Sequence, residues 1–95
     1  MTRLDLVVVD LQEVHTELQM HEALAGALDF PGWYGNNWNA LWDAITGLVD
    51  MPVRLRFRGW HDFERRLPEE ACYLRNLFVE MSTELPNLAS EVLYE

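Results

Sequence analysis

Lysine is absent from this chain. All seven basic residues are arginines, set against sixteen acids, and the formal net charge is −9. A surplus of that sign repels polyanions, so nucleic acid and anionic membrane are disfavoured as partners. It would steer the chain toward a basic partner, although on charge alone a role in solubility is the simpler reading. Cysteine is nearly absent as well. Cys72 stands alone, which excludes an intramolecular disulfide and suits a reducing, cytoplasmic setting. Within a segment of helical periodicity it reads as a small buried apolar group. Long apolar runs are missing: no stretch approaches a membrane span, and the apolar run of MTRLDLVVVD is too short, and interrupted by Asp5, for a signal peptide. No glycine-rich phosphate loop, internal repeat or linker is found.

What is present suits one folded domain over residues 1–95. The hydrophobic share of 49% is high enough to argue against disorder. Residues 4–9, LDLVVV, predict a mostly buried strand. Thr16 and Gln19 have the spacing of a capping box, so a helix is expected to start there and to bury Met20, Ala23, Leu24, Ala27 and Leu28. Phe30-Pro31-Gly32 breaks it. A second helix starts at Asn36 or Asn37 and ends around Gly47. VRLRF alternates strictly, predicting a strand with Val53, Leu55 and Phe57 inward and Arg54 and Arg56 in water. Residues 60–66 suit a short helix. Pro68-Glu69-Glu70 opens a longer one with the stripe Ala71, Leu74, Leu77, Phe78, Met81 and Leu85. LASEVLY closes the chain as a third strand. The order β-α-α-β-α-α-β implies an α/β fold, a three-stranded parallel sheet with about four helices in two layers.

Signs of catalysis are scarce. His15 and His21 are six residues apart and out of ligand register on a helix, and His61 with Glu64 supplies too few ligands for a metal. All three histidines read as surface residues, and neither a metal nor a cofactor is expected. Arg54, Arg56 and Arg58 form a basic row on one side of a strand. Asp5 and Glu91 are placed to flank and neutralise it, a simpler reading than a nucleic-acid platform.

The unusual stretch is FPGWYGNNWNALWD, residues 30–43, with three of the four tryptophans. At about 100° per residue, Trp38, Leu41, Trp42 and Ile45 span an apolar arc, while Asn39, Asp43 and Thr46 share the adjoining side. Trp33 and Tyr34 precede that helix in a loop bounded by proline and glycine, where neither ring belongs to a helix stripe. Exposed loop aromatics beside a polar helix face are favoured protein-binding anchors.

PGWYGNNWNALWDAITG resembles the signature of the barstar family, small intracellular inhibitors of secreted ribonucleases, and the element order extends the resemblance over most of the chain. The resemblance implies a three-stranded parallel sheet with helices, no catalysis, no cofactor, and a one-to-one complex with a basic ribonuclease. Loop 31–36 and helix 37–47 would plug the nuclease active site, as an immunity protein or antitoxin does. Carried over by position, the contact residues are Trp33, Tyr34, Gly35, Asn37, Trp38, Asn39, Trp42, Asp43 and Thr46, with Glu80 on the long fourth helix. Asp43 would stand in for a phosphate toward arginines and a histidine. Two positions depart from the family's best-known inhibitor: Asn39 replaces a second aspartate, and Trp38 replaces an aliphatic residue. These changes keep open an alternative, a module of the same fold that binds a different nuclease toxin or a non-nuclease partner. A small enzyme or RNA binder would rest only on the arginine row and the unplaced histidines.

Overall fold

Alternation in RLRFR decides the layering. In the computed structural model, which describes residues 3–95, Leu55 and Phe57 are buried under the helices while Arg54, Arg56 and Arg58 face water. The elements are β1 (Leu6–Asp10), α1 (Glu17–Leu28), α2 (Trp38–Asp43), β2 (Arg54–Arg58), α3 (Trp60–Arg66), α4 (Pro68–Glu84) and β3 (Glu91–Tyr94). The three strands form one sheet in the order β1-β2-β3, with β2 central and both pairings parallel. Parallel neighbours require crossovers, and the helix pairs between the strands supply them.

The expected strand at residues 4–9 begins later and is wetter than its composition suggests. Only Val9 of β1 is fully buried, and Leu6 and Val8 are exposed. The cause is position: β1 is an edge strand, and one side of the sheet has no helical cover, so alternate apolar residues face outward. Val53 is likewise exposed rather than inward, lying just before β2. On the open face Arg54 registers with Glu91, as anticipated, but Asp5 is out of phase with the arginines. Asp10 is the residue opposite Arg58, and Arg56 pairs with Glu95.

Helix starts follow their capping residues. Thr16 caps α1, accepting from the Gln19 N–H at 3.1 Å, and Gln19 Oε1 accepts from the His15 N–H at 2.7 Å, one residue before the usual capping-box donor. Asp29, in the left-handed region, ends that helix. Proline at the start and acids in the first turn open α4, whose buried stripe is Ala71, Leu74, Leu77, Phe78 and Met81. Cys72 falls off that stripe and is exposed, which corrects the expectation of a buried thiol. Phe57, Trp60 and Phe63 sit at the centre of the core, and the helices bring Met20, Leu24, Leu41, Ile45 and Leu74 onto them.

Candidate protein-binding surface

Pro31 accepts a hydrogen bond from the Tyr34 N–H at 3.0 Å, closing a turn over residues 31–34. That turn sends its two aromatic rings in opposite directions. Trp33 lies at the tip and is 72% exposed, whereas Tyr34 folds back and is only 9% exposed. Reading both as exposed anchors is therefore corrected for Tyr34, whose ring joins the core against Phe30. Its hydroxyl finds a partner inside, Nδ1 of His21 at 2.7 Å.

His21 is fully buried, contrary to its reading as a surface residue. A signal for this lay in the His21, Leu24, Leu28 spacing, which is a helix stripe. Burial pushes the imidazole below its ordinary range, against a smaller opposing pull from Glu17. Burial also raises the Tyr34 phenol, which therefore stays protonated. Nε2 of His21 points toward Glu17 Oε2 at 3.8 Å, too far for a hydrogen bond, and has no hydrogen-bond partner among the described residues.

Asn37, not Asn36, caps α2. Its Oδ1 accepts from the Ala40 N–H at 2.8 Å, and its Nδ2 donates to the Gly35 carbonyl at 3.2 Å. Gly35 suits this contact, since a Cβ there would lie 3.1 Å from Asn37 Nδ2 and press on the amide. Asn36 takes a left-handed backbone, which asparagine tolerates. The amide of Asn37 thus serves the local fold while its position fixes the loop on the helix.

Helix α2 runs into a π-helical turn, Ala44–Leu48, and Thr46 Oγ1 donates to the Trp42 carbonyl at 2.6 Å across that junction. The Thr46 hydroxyl is therefore committed within the helix. Leu41, Ala44 and Ile45 anchor the segment in the core.

Side chains four apart on α2 form two adjacent columns, Trp38 with Trp42 and Asn39 with Asp43. Both columns line a cleft of about 570 Å³ whose far wall comes from α4: Tyr73, Asn76, Leu77 and Glu80. The α4 residues follow the i, i+3, i+4, i+7 spacing of one helix face. Four of the anticipated residues and Glu80 are thus brought together in one cleft. Trp33, Gly35 and Asn37 are exposed on the adjoining loop and cap, and Tyr34 lies beneath them. Trp38 is half-buried, meeting His21 edge-on at 5.4 Å and stacking on Tyr73 at 4.2 Å. Tyr73 and Asn76 escaped the sequence reading, and Leu77 was read there only as a core residue, although their spacing from Glu80 pointed to a shared face.

Among the described residues no cationic side chain pairs with Asp43 or Glu80. Among the described residues no group of three or more histidine, cysteine or acidic side chains is poised to hold a metal ion, and no helix is long and apolar enough to cross a membrane. The cleft offers two free carboxylates, amides and aromatic rings, a set that suits a basic protein surface.

Residues 4–93 match the family described as Barstar (barnase inhibitor). A Bacillus subtilis (strain 168) protein, "Putative ribonuclease inhibitor YrdF", is 41% identical over 54 residues. That match covers 57% of this chain and 59% of the relative, less than two thirds of its length.

Proposed function

The chain belongs to the barstar family, and on that premise we propose that it inhibits a ribonuclease by occluding the enzyme's active site. The observation that carries this reading is the shared cleft, in which Asp43 and Glu80 present carboxylates that pair with no cation among the described residues. A ribonuclease active site is a basic hollow built for phosphate. A carboxylate set among aromatic rings can replace that phosphate while the rings exclude water and strengthen the charge-assisted bonds. Trp33 would add an anchor at the rim, and the turn at residues 31–36 with the helix at 37–47 would fill the hollow one-to-one.

The chain acts here as an inhibitor rather than an enzyme and needs no cofactor. The acidic balance of the whole molecule would speed its approach to a basic nuclease. An immunity or antitoxin role in the cytoplasm is the setting this chemistry suits, since a cell that makes a secreted nuclease needs protection before export. Asn39, exposed in the cleft, cannot form the ion pair an aspartate would, so the cognate nuclease is one that places no arginine opposite it.

Competition tests the occlusion. A mononucleotide that fills the phosphate site of an inhibited microbial ribonuclease should raise the apparent Kd of the chain in proportion to its concentration. Simultaneous binding of both would contradict active-site occlusion.

A further inference from the structure

One guanidinium joins the exits of both cleft helices. Helix α2 and its π-helical turn lead into residues 49–52, ahead of β2, and α4 leads into residues 85–90, ahead of β3. Arg3 lies between these two segments. Its Nε donates to the Met51 carbonyl at 2.6 Å, and its Nη2 donates to the carbonyls of Pro52 at 2.8 Å and Ala89 at 3.0 Å. Longer contacts of 3.5 Å reach the Asn87 and Leu88 carbonyls. Ser90, which is buried, donates its hydroxyl to the same Pro52 carbonyl at 2.6 Å. Among the described residues no carboxylate pairs with Arg3, so its donors are spent on backbone.

Both segments are tied to their helices. The Val49 N–H donates back to the Ala44 carbonyl in the π-helical turn, and Met51 is buried. The Leu88 and Ala89 N–H groups both donate to the carbonyl of Leu85, which ends α4. The backbone beside Arg3 is fixed as well, since the Leu4 carbonyl accepts from the Val53 N–H at 2.8 Å. A planar guanidinium with five donors can bridge two segments at a set spacing, which a compact ammonium cannot do. We propose that Arg3 is a positioning residue of the binding face: by clasping the exits of α2 and α4 it fixes their spacing, and so places Asp43 relative to Glu80. This rests on reading the cleft as the inhibitory face. Carboxylates on fixed walls lose less freedom on binding than carboxylates on loose ones.

The stack of Trp38 on Tyr73, 4.2 Å apart, gauges that spacing, because one ring belongs to each wall. NMR of the full chain should show the Tyr73 ring protons shifted upfield by the indole in the wild type and relaxed toward random-coil positions in Arg3→Ala. Arg3→Lys keeps the charge and loses the fork. It should fall between the two, and it serves alone if Arg3→Ala does not fold. Gly59→Ala, strained but remote from the cleft, should keep the wild-type shift. Arg3→Ala should also weaken inhibition of a ribonuclease by about tenfold, although losing the cation makes the chain more acidic and would alone speed its approach to a basic enzyme. Wild-type ring shifts in the folded Arg3 variants, the same relaxation in Gly59→Ala, or undiminished inhibition by Arg3→Ala would overturn the clasp. The shifts need no nuclease, so the two readings separate. Relaxed shifts in a chain whose wild type inhibits no ribonuclease keep the clasp and remove the inhibitory role. Unrelaxed shifts in a chain that does inhibit one remove the clasp and keep that role.

Discussion

The hydroxyl of Tyr34 lies 2.7 Å from Nδ1 of His21, joining the loop that carries Trp33 to the first helix through two buried side chains. Through this contact the core supports the proposed binding face directly. His21 also touches Trp38, so one imidazole holds both the loop and the start of α2.

A neutral, buried His21 makes stability depend on pH. Its pKa is depressed by burial, so between the folded and unfolded values the unfolded chain binds more protons and stability rises with pH. Stability should therefore be fully present above the ordinary histidine pKa of about 6.5 and decline as pH falls below it. Urea unfolding at stepped pH should show this slope in the wild type and a flatter profile between pH values of about 5 and 7 in His21→Gln. Parallel profiles for the two proteins would contradict the assignment.

The two loop aromatics should respond oppositely to truncation. Trp33→Ala removes an exposed ring and should change unfolding free energy by less than about 0.5 kcal/mol, while weakening nuclease binding by about tenfold or more. Tyr34→Ala empties a core site and should cost about 3–5 kcal/mol of stability. Tyr34→Phe removes only the hydroxyl and leaves His21 Nδ1 unpaired, a cost of about 1–3 kcal/mol. Denaturant titrations and binding isotherms on the three variants decide this.

The contrast between those residues also marks how far the sequence could be read. Periodicity was enough for α4 and for the inward residues of β2, because a helix stripe and a strand alternation are local patterns. The Thr16 cap was legible for the same reason, while the second cap was narrowed only to Asn36 or Asn37, of which the structure uses Asn37. The pairing of Tyr34 with His21 was not legible, because the two meet across 13 residues of chain and neither local pattern contains its partner, although the His21, Leu24, Leu28 stripe marked His21 as inward. β1 looked buried from composition alone, but whether a strand lies at an edge depends on sheet order. The cleft needed α2 and α4 side by side, so Asp43 could be singled out on its helix while Tyr73 could not.

Gly59 should not tolerate a side chain. It joins β2 to α3 at φ 76°, and a Cβ would lie 2.8 Å from Gln12 Cγ and 3.3 Å from the Gln12 nitrogen. Gly59→Ala should lose about 1–3 kcal/mol of stability, read by thermal unfolding. Inhibition by the fraction that remains folded should be unchanged, since Gly59 does not line the cleft. A melting temperature equal to the wild type would contradict the strain.

Charge should govern the encounter more than the bound state. With a net charge of −9 facing a basic nuclease, the association rate should fall several-fold between low and physiological ionic strength. The dissociation rate should change much less. Stopped-flow association measured across a salt series checks both, and a salt-independent association rate would remove electrostatic steering from the account.

The central claim is that Asp43, at the end of α2 and facing Glu80 across the cleft, carries the inhibition. Its most direct test is inhibition of a panel of purified microbial ribonucleases by the wild-type chain, Asp43→Ala and Asp62→Ala. Asp62 is likewise an exposed acid, on α3, paired with Arg65 and outside the cleft. The account predicts at least one nuclease inhibited by the wild type, with Asp43→Ala weaker by about thirtyfold or more and Asp62→Ala indistinguishable from wild type. Equal inhibition by the wild type and Asp43→Ala, or no inhibition of any ribonuclease by the wild type, would contradict it.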